Sequence, residues 1–396
     1  MTKKQILWMI ILAGVVFTNI LESMILMPLA STIKADLNMD DNQWGIAISV
    51  YLFAAFVAGI LSIFFIDKFD RKRFLVALYS LFIVGTYFCG IANNYAFFVF
   101  ARIFAGFFGG VITATVLAMV GDLVDNAHRG KATAIVMVGF ATAAALGIPL
   151  GIIIGLDYSW HIPFFAIVAF SVIVLICIVL FFPQINAHLQ LQEGRKTYHI
   201  FKSIVKNNDQ LKALLFTCTI SFGQFAIIPY LADFAENNVG FSKQDLKYIY
   251  LFGGISTFLT VPIIGYLADK FGRIQVFLIT MLISCIPILW LTNMGPTAKW
   301  IVLIATSLFF IFSMGRGIPG TAIVISTAAP YERGGFMSVQ SALQQLSSGI
   351  AVLLGSFIVV QNESTLVYYN FEWVGYMGVA TSILSYFILK TIKQKY

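Results

Sequence analysis

A carboxylate and a guanidinium stand inside long stretches that hold almost no other charge. Glu22 lies in the apolar run that begins at Ile6, and Arg102 in the run that begins at Tyr95. Charge inside a membrane segment is costly, so it is the clearest functional sign such a chain offers. Each residue sits about seven positions from the outer end of its run, roughly 10 Å below the surface at 1.5 Å per residue. Equal depth lets the two meet, directly or through water, and Asn19 shares the face of Glu22 one turn away. A carboxyl there can carry a proton. Burial and a nearby arginine act on its proton affinity in opposite senses, and opening the site to one side or the other changes both. A cationic substrate and a proton would then compete for one carboxylate. The same two charges could instead form a structural ion pair that only fixes helix packing.

Other polar residues in apolar stretches are few. Arg316, in Gly315-Arg-Gly317, either counters a carboxylate, binds an anionic substrate group or reaches a nearby membrane surface with its head group. Gln224, and Gln340, Gln344 and Gln345, either line a pathway or hold helices together, with Gln340 and Gln344 on one face. Phe17, Phe222 and Phe225, among 38 phenylalanines, could line an apolar pocket near Glu22 and Gln224. Asp233 and Glu372 fall at helix ends near the outer surface and read as solvated termini, with a coupling role as the alternative. The cysteines Cys89, Cys177, Cys218 and Cys285 read as small buried hydrophobes. The histidines His128, His161, His188 and His199 lie at segment ends or in loops without ligand spacing. We therefore expect no metal site and no cofactor. With no deep histidine and no nucleotide-binding Gly-rich loop, neither an enzyme nor an ATP-driven pump is expected.

The elements that position these residues follow from composition. Of 396 residues, 59% are hydrophobic and only 11% charged, with a mean hydropathy of +0.89. Soluble proteins carry about 25% charged residues. Apolar stretches near the roughly 20 residues that span a bilayer recur from end to end. They predict an all-α integral membrane protein with about 12 helices, over 6–29, 44–66, 74–93, 95–120, 132–155, 161–183, 211–233, 246–268, 274–293, 299–325, 335–360 and 371–390. The first run is too long for a signal-peptide core and reads as a retained membrane helix. With the amino terminus in the cytoplasm, Lys34, Lys243, Lys247 and Lys299 fall outside and Arg102 and Arg316 within helices. The remaining 19 of 25 Lys and Arg fall on the cytoplasmic side, the bias that sets membrane topology. This accounts for the net charge of +7 by contact with anionic lipid and removes any call for nucleic acid.

An internal repeat divides the chain. Tyr51-Leu-Phe-Ala-Ala and Asp67-Lys-Phe-Asp-Arg71 return as Tyr250-Leu-Phe-Gly-Gly and Asp269-Lys-Phe-Gly-Arg273, and Arg129-Gly130 returns as Arg333-Gly334. The reading is an N-terminal six-helix half over 1–183, a cytoplasmic linker over 184–210 and a C-terminal six-helix half over 211–396. Parallel halves of this kind suit alternating access.

These residues resemble the major facilitator superfamily, and within it the drug/proton antiporter branch, over essentially the whole chain. That family's loop signature after the second helix is Gly-x-x-x-Asp-Lys/Arg-x-Gly-Arg-Lys. Gly265, Asp269, Lys270, Gly272 and Arg273 match it in the second half. Asp67, Arg71 and Lys72 match it in the first, where Ile63 and Asp70 replace glycines. Such charges either form a latch between helix ends or a solvated turn. Arg102 with Gly106, Gly109 and Gly110 resembles a second family motif. Gly139, Gly147-Ile-Pro149-Leu-Gly151 and Gly155 resemble the antiporter motif, with Ile148 inserted between a Gly and a Pro that are usually adjacent. The resemblance implies a proton-coupled efflux antiporter, multidrug in type, in a bacterial inner membrane with both termini cytoplasmic. Its partners would be a small amphiphilic or cationic molecule, protons and lipid, and the chain would act as a monomer. A dedicated carrier of a siderophore, sugar or metabolite is the competing reading.

Overall fold

The computed structural model describes residues 1–65, 68–125, 128–185, 204, 206–328, 333–362 and 364–392. Among them, eleven helices are long and apolar enough to cross a membrane: α1 Lys3–Asp36, α2 Asp41–Phe64, α3 Arg71–Gly90, α4 Tyr95–Leu123, α5 Arg129–Asp157, α6 His161–Phe181, α7 Asn208–Asn237, α8 Lys243–Phe271, α9 Arg273–Thr292, α10 Lys299–Ile325 and α11 Gly335–Ile358. A twelfth, α12 Phe371–Lys390, has 20 residues; Glu372, Thr381, Ser382 and Ser385 make it less apolar. Helices are the expected solution, because lipid offers backbone groups no partners and a helix satisfies them internally. Between α11 and α12, β1 Val360–Gln361 pairs antiparallel with β2 Tyr368–Tyr369. This is the multi-pass all-α architecture expected from the sequence. Most of the 184–210 linker lies outside the described residues.

Local chemistry sets several starts. Thr2 and Gln5 form a reciprocal capping box on α1, and Asp70 and Asn94 cap α3 and α4, each satisfying an otherwise orphaned N–H. The helices then pack in a pattern that returns six helices later. The pairings α1–α5, α1–α6, α2–α4, α3–α4 and α3–α6 recur as α7–α11, α7–α12, α8–α10, α9–α10 and α9–α12, while α2–α11 and α5–α8 join the two sets.

Small residues make the closest of these approaches possible. A Cβ on Gly106 of α4 would lie 2.4 Å from the Tyr51 carbonyl of α2, and one on Gly139 of α5 would lie 2.1 Å from the Ala13 carbonyl of α1. Gly147, Gly151 and Gly155 continue that face of α5 against Leu21, Ile25 and Leu29 of α1. Just before Pro149, α5 loosens into a π-helical turn, Ala143–Gly147. A proline cannot donate the bond that an unbroken helix needs there, which fits the local expansion. The backbone of this turn, at Ala144 and Ala145, touches Gly254 of α8.

Candidate functional site

Glu22 and Arg102 meet where α1 crosses α4. Arg102 Nη1 donates to Glu22 Oε1, and the two side chains are 0% and 1% exposed respectively. The guanidinium lies over the Tyr51 ring of α2, 4.1 Å from its centroid, a cation–π contact strengthened by desolvation. Asn19 Nδ2 donates to the Gly109 carbonyl at 3.2 Å, and Thr113 Oγ1 to Asn19 Oδ1 at 3.4 Å. Among the described residues, Glu22 Oε2 and Arg102 Nε have no hydrogen-bond partner. The pair is therefore buried and incompletely satisfied, an arrangement in which removing one partner strands the other. Tyr51 was visible in the sequence only as the first residue of a repeat.

The remaining expected lining residues are not gathered around this pair. Gln340 is buried and Gln344 exposed, while Gln224 is half-buried and engaged in an interaction of its own. Gln345 lines a cavity of about 10 Å³ between α2, α4 and α11. Phe17 lies edge-on to Phe170 and lines an apolar groove of about 510 Å³ between α1, α5 and α6, bordered also by Leu21, Gly147, Leu150 and Gly151. Phe222 and Phe225 do not border this groove.

Asp233 corrects the sequence reading. Expected as a solvated helix end, it is 2% exposed and lies 2.6 Å from Lys34 Nζ. The reason is the length of α1, which was expected to stop at Leu29. It turns through Met27–Leu29 around Pro28 and continues as Ala30–Asp36, carrying Lys34 across to α7. Lys34 Nζ also reaches Asp41 Oδ1 at 2.9 Å and donates to Tyr368 Oη at 2.6 Å. Ser31 Oγ donates to Glu236 Oε2 at 3.0 Å beside it. Together these side chains tie α1 and α2 to α7 and the α11–α12 hairpin on the face away from the amino terminus, here the distal face. Glu372, in the first turn of α12, is half-buried at the helix end where an acid is favoured.

Arg316 does not reach the protein surface. It is 1% exposed, at the break between two helical segments of α10, Lys299–Gly315 and Gly317–Ile325. Its Nη1 donates to Ser284 Oγ of α9 at 3.3 Å and to Ser382 Oγ of α12.

The loop after α2 holds together through Arg71 and Lys72 of the family pattern and through Asp70, which departs from it. Asp70 Oδ1 caps α3 at Arg73 N, 2.9 Å, and its Oδ2 accepts from Ile185 N at 2.7 Å. Arg71 Nε reaches Asp122 Oδ2 of α4 at 3.0 Å, and Lys72 Nζ donates to the Val179 and Phe182 carbonyls at the end of α6. Asp67 lies outside the described residues. In the second copy, Asp269 is exposed and, among the described residues, Arg273 Nη1 reaches only the Ala322 carbonyl, at 3.5 Å. The copies differ because Gly272 adopts φ +96°, a conformation natural to glycine, whereas Asp70 stands there with φ −54° and caps instead.

The comparisons with known proteins agree with this architecture. The profile of the Major Facilitator Superfamily matches residues 12–258 and 213–395. Over 388 residues the chain is 26% identical to the uncharacterised MFS-type transporter YwfA of Bacillus subtilis, covering 95% of this chain and 89% of that one. It is 24% identical over 360 residues to the uncharacterised MFS-type transporter YtbD of the same organism, covering 89% and 87%. Among solved structures, a D-xylose-proton symporter superposes with a TM-score of 0.77 at 17% identity, covering 98% of each chain. A bacterial homologue of the human lysosomal transporter Spinster, inward-facing and unoccupied, superposes with a TM-score of 0.75 at 14% identity, covering 99% and 98%.

Proposed function

Because the chain belongs to the Major Facilitator Superfamily, we propose that it is a proton-coupled secondary transporter that exports small amphiphilic or cationic compounds by alternating access. The observation that carries this reading is the Glu22–Arg102 pair, charged and buried in the membrane interior. A carboxylate there has two ways to lose its partner, by taking a proton or by taking a cationic group of a substrate. If both compete for it, binding of one expels the other, and exchange follows without a separate coupling device. The proton symporter among the structural neighbours supports proton coupling on this fold. The antiport sense rests on that competition and on the resemblance of Gly147-Ile-Pro149-Leu-Gly151 to the antiporter motif.

In this reading the distal face is extracellular and both termini are cytoplasmic, in a plasma membrane, with one chain acting alone. The six-helix sets over 1–183 and 211–396 rock against each other about the α2–α11 and α5–α8 contacts. The Lys34–Asp233 cluster closes the outer end, and Arg71, Lys72 and Asp122 brace the inner end of the first set. Tyr51, Asn19 and Gly109 hold Glu22 and Arg102 in register. The test is uptake of a cationic dye into everted vesicles. Accumulation that needs an imposed proton gradient and collapses with a protonophore supports the reading. Accumulation indifferent to the gradient, or none across a panel of dyes although the protein is inserted, contradicts it.

A further inference from the structure

Four cations are buried among the described residues: Lys34, Arg71, Arg102 and Arg316. Three have a carboxylate partner, Lys34 with Asp233 and Asp41, Arg71 with Asp122, and Arg102 with Glu22. Arg316 has none among the described residues. A buried charge without a counter-charge is strongly unfavourable, and arginine stays protonated. We infer that Arg316 receives a carboxylate of the transported compound. The inference rests on the transport reading and narrows its cargo to amphiphiles that bear a carboxylate.

The geometry around the guanidinium indicates which ligand it awaits. Among the described residues only Nη1 is engaged, by the hydroxyls of Ser284 and Ser382. Those hydroxyls spend their own protons on the carbonyls of Met281 and Gly378, at 2.7 Å each, so their lone pairs are turned toward Arg316. This orients the side chain but supplies no negative charge. Among the described residues, Nε and Nη2 have no hydrogen-bond partner. These two nitrogens form one edge of the guanidinium, the edge that a planar carboxylate takes with two parallel bonds. A single carboxylate also balances the charge, whereas a dianionic phosphate would leave one negative charge over.

Arg316 stands at the junction of the two segments of α10 with helical backbone, its N–H bonded to the Phe312 carbonyl at 3.1 Å and its carbonyl accepting from Gly320 N at 3.2 Å. Gly223 of α7 packs beside the guanidinium, where a Cβ would stand 3.5 Å from Nη2 and 2.7 Å from Thr381 Oγ1. The surroundings come from α7, α9 and α12, whereas Glu22 and Arg102 belong to α1 and α4. The two charged sites therefore lie in different helix sets.

The experiment uses the full-length protein in lipid nanodiscs and follows thermal unfolding with 1-naphthoate or its uncharged isostere 1-naphthamide. A ligand that binds only the folded state raises Tm with concentration. We expect naphthoate, and not naphthamide, to raise Tm of the wild type. Arg316→Gln should abolish the shift, and Arg316→Lys should weaken it because an ammonium lacks the two-pronged edge. Without ligand, Arg316→Gln should be as stable as the wild type or more so, since it removes an unpaired charge. The proposal is overturned if the wild type shows no shift, if the amide matches the acid, if the shift survives in Arg316→Gln, or if ligand-free Arg316→Gln is less stable. Binding and proton coupling are read separately here, so failure of this site leaves the transport reading standing, and failure of dye uptake leaves a carboxylate site measured on its own.

Discussion

Lys34 of α1 lies 2.6 Å from Asp233 of α7, and both side chains are shielded from solvent. Tyr368 stands over the pair, its hydroxyl 3.0 Å from Asp233 Oδ2 and 3.1 Å from Asp41 Oδ1. Burial, reinforced by the two carboxylates, pushes the Tyr368 hydroxyl far above its usual pKa, so it keeps its proton and remains a donor at any physiological pH. Asn238 fixes the backbone of the same residue from both sides, accepting from Tyr368 N and donating to its carbonyl. Beneath this layer a Cβ on Gly45 of α2 would lie 2.3 Å from the Ser356 Cβ of α11, so the distal face is closed by polar and steric contacts in succession.

Breaking that cluster should open the distal face. Removing one partner of a buried pair costs about 3–5 kcal/mol, and here the loss falls on the closed arrangement alone. In a background lacking the four native cysteines, Ser356→Cys reports access to the layer below. Asp233→Asn should speed its labelling by a membrane-impermeant maleimide added from the distal side. Unchanged labelling would show that the cluster does not hold the face shut.

The glycine contacts predict opposite outcomes for one chemical change. Gly106→Ala drives a methyl against the Tyr51 carbonyl and should destabilise by about 1–3 kcal/mol through forced backbone displacement. Gly265→Ala, on α8 with nothing within 4 Å of its Cβ, should be neutral or gain up to about 1 kcal/mol from helix propensity. Thermal unfolding in detergent distinguishes them, and equal shifts would refute the close α2–α4 approach.

The two loop copies should also respond differently. Gly272→Ala forces a side chain into φ +96° and should cost about 1 kcal/mol or more. Asp70→Ala removes a helix cap and a bond to Ile185, for about 1–2 kcal/mol. Asp70→Gly should recover part of that loss, since glycine is a tolerable cap. Parallel denaturation series measure all three, and an Asp70→Ala protein as stable as wild type would deny the cap its role.

How far the sequence could be read follows from what each feature depends on. Helix number and the Glu22–Arg102 meeting were legible because membrane cost and depth are local properties of a segment. Lys34–Asp233 was not, because Lys34 looked like an outer-loop cation and Asp233 like a helix end next to water, and only the continuation of α1 past Pro28 brings them together. The fate of Arg316 turned on neighbours from α9 and α12 that no spacing reveals. Asp70 looked like a defect in a glycine pattern, yet its carboxylate makes two of the loop's anchoring bonds.

Neutralising one member of the central pair should be worse than neutralising both. Glu22→Gln leaves Arg102 buried and unpaired and should cost about 3–5 kcal/mol, whereas Glu22→Gln combined with Arg102→Met should restore most of that loss. Neither variant should couple transport to protons. Thermal unfolding of the set gives the interaction energy, and additive effects would contradict a coupled pair.

The most direct test of the account is proton release. Everted vesicles carrying the protein, loaded with an imposed proton gradient and a fluorescent pH probe, are challenged with cationic dyes. The account predicts release on substrate addition by wild type and none by Glu22→Gln, nor by the double variant that restores stability. Release of equal size from the stable double variant would contradict Glu22 as the proton carrier.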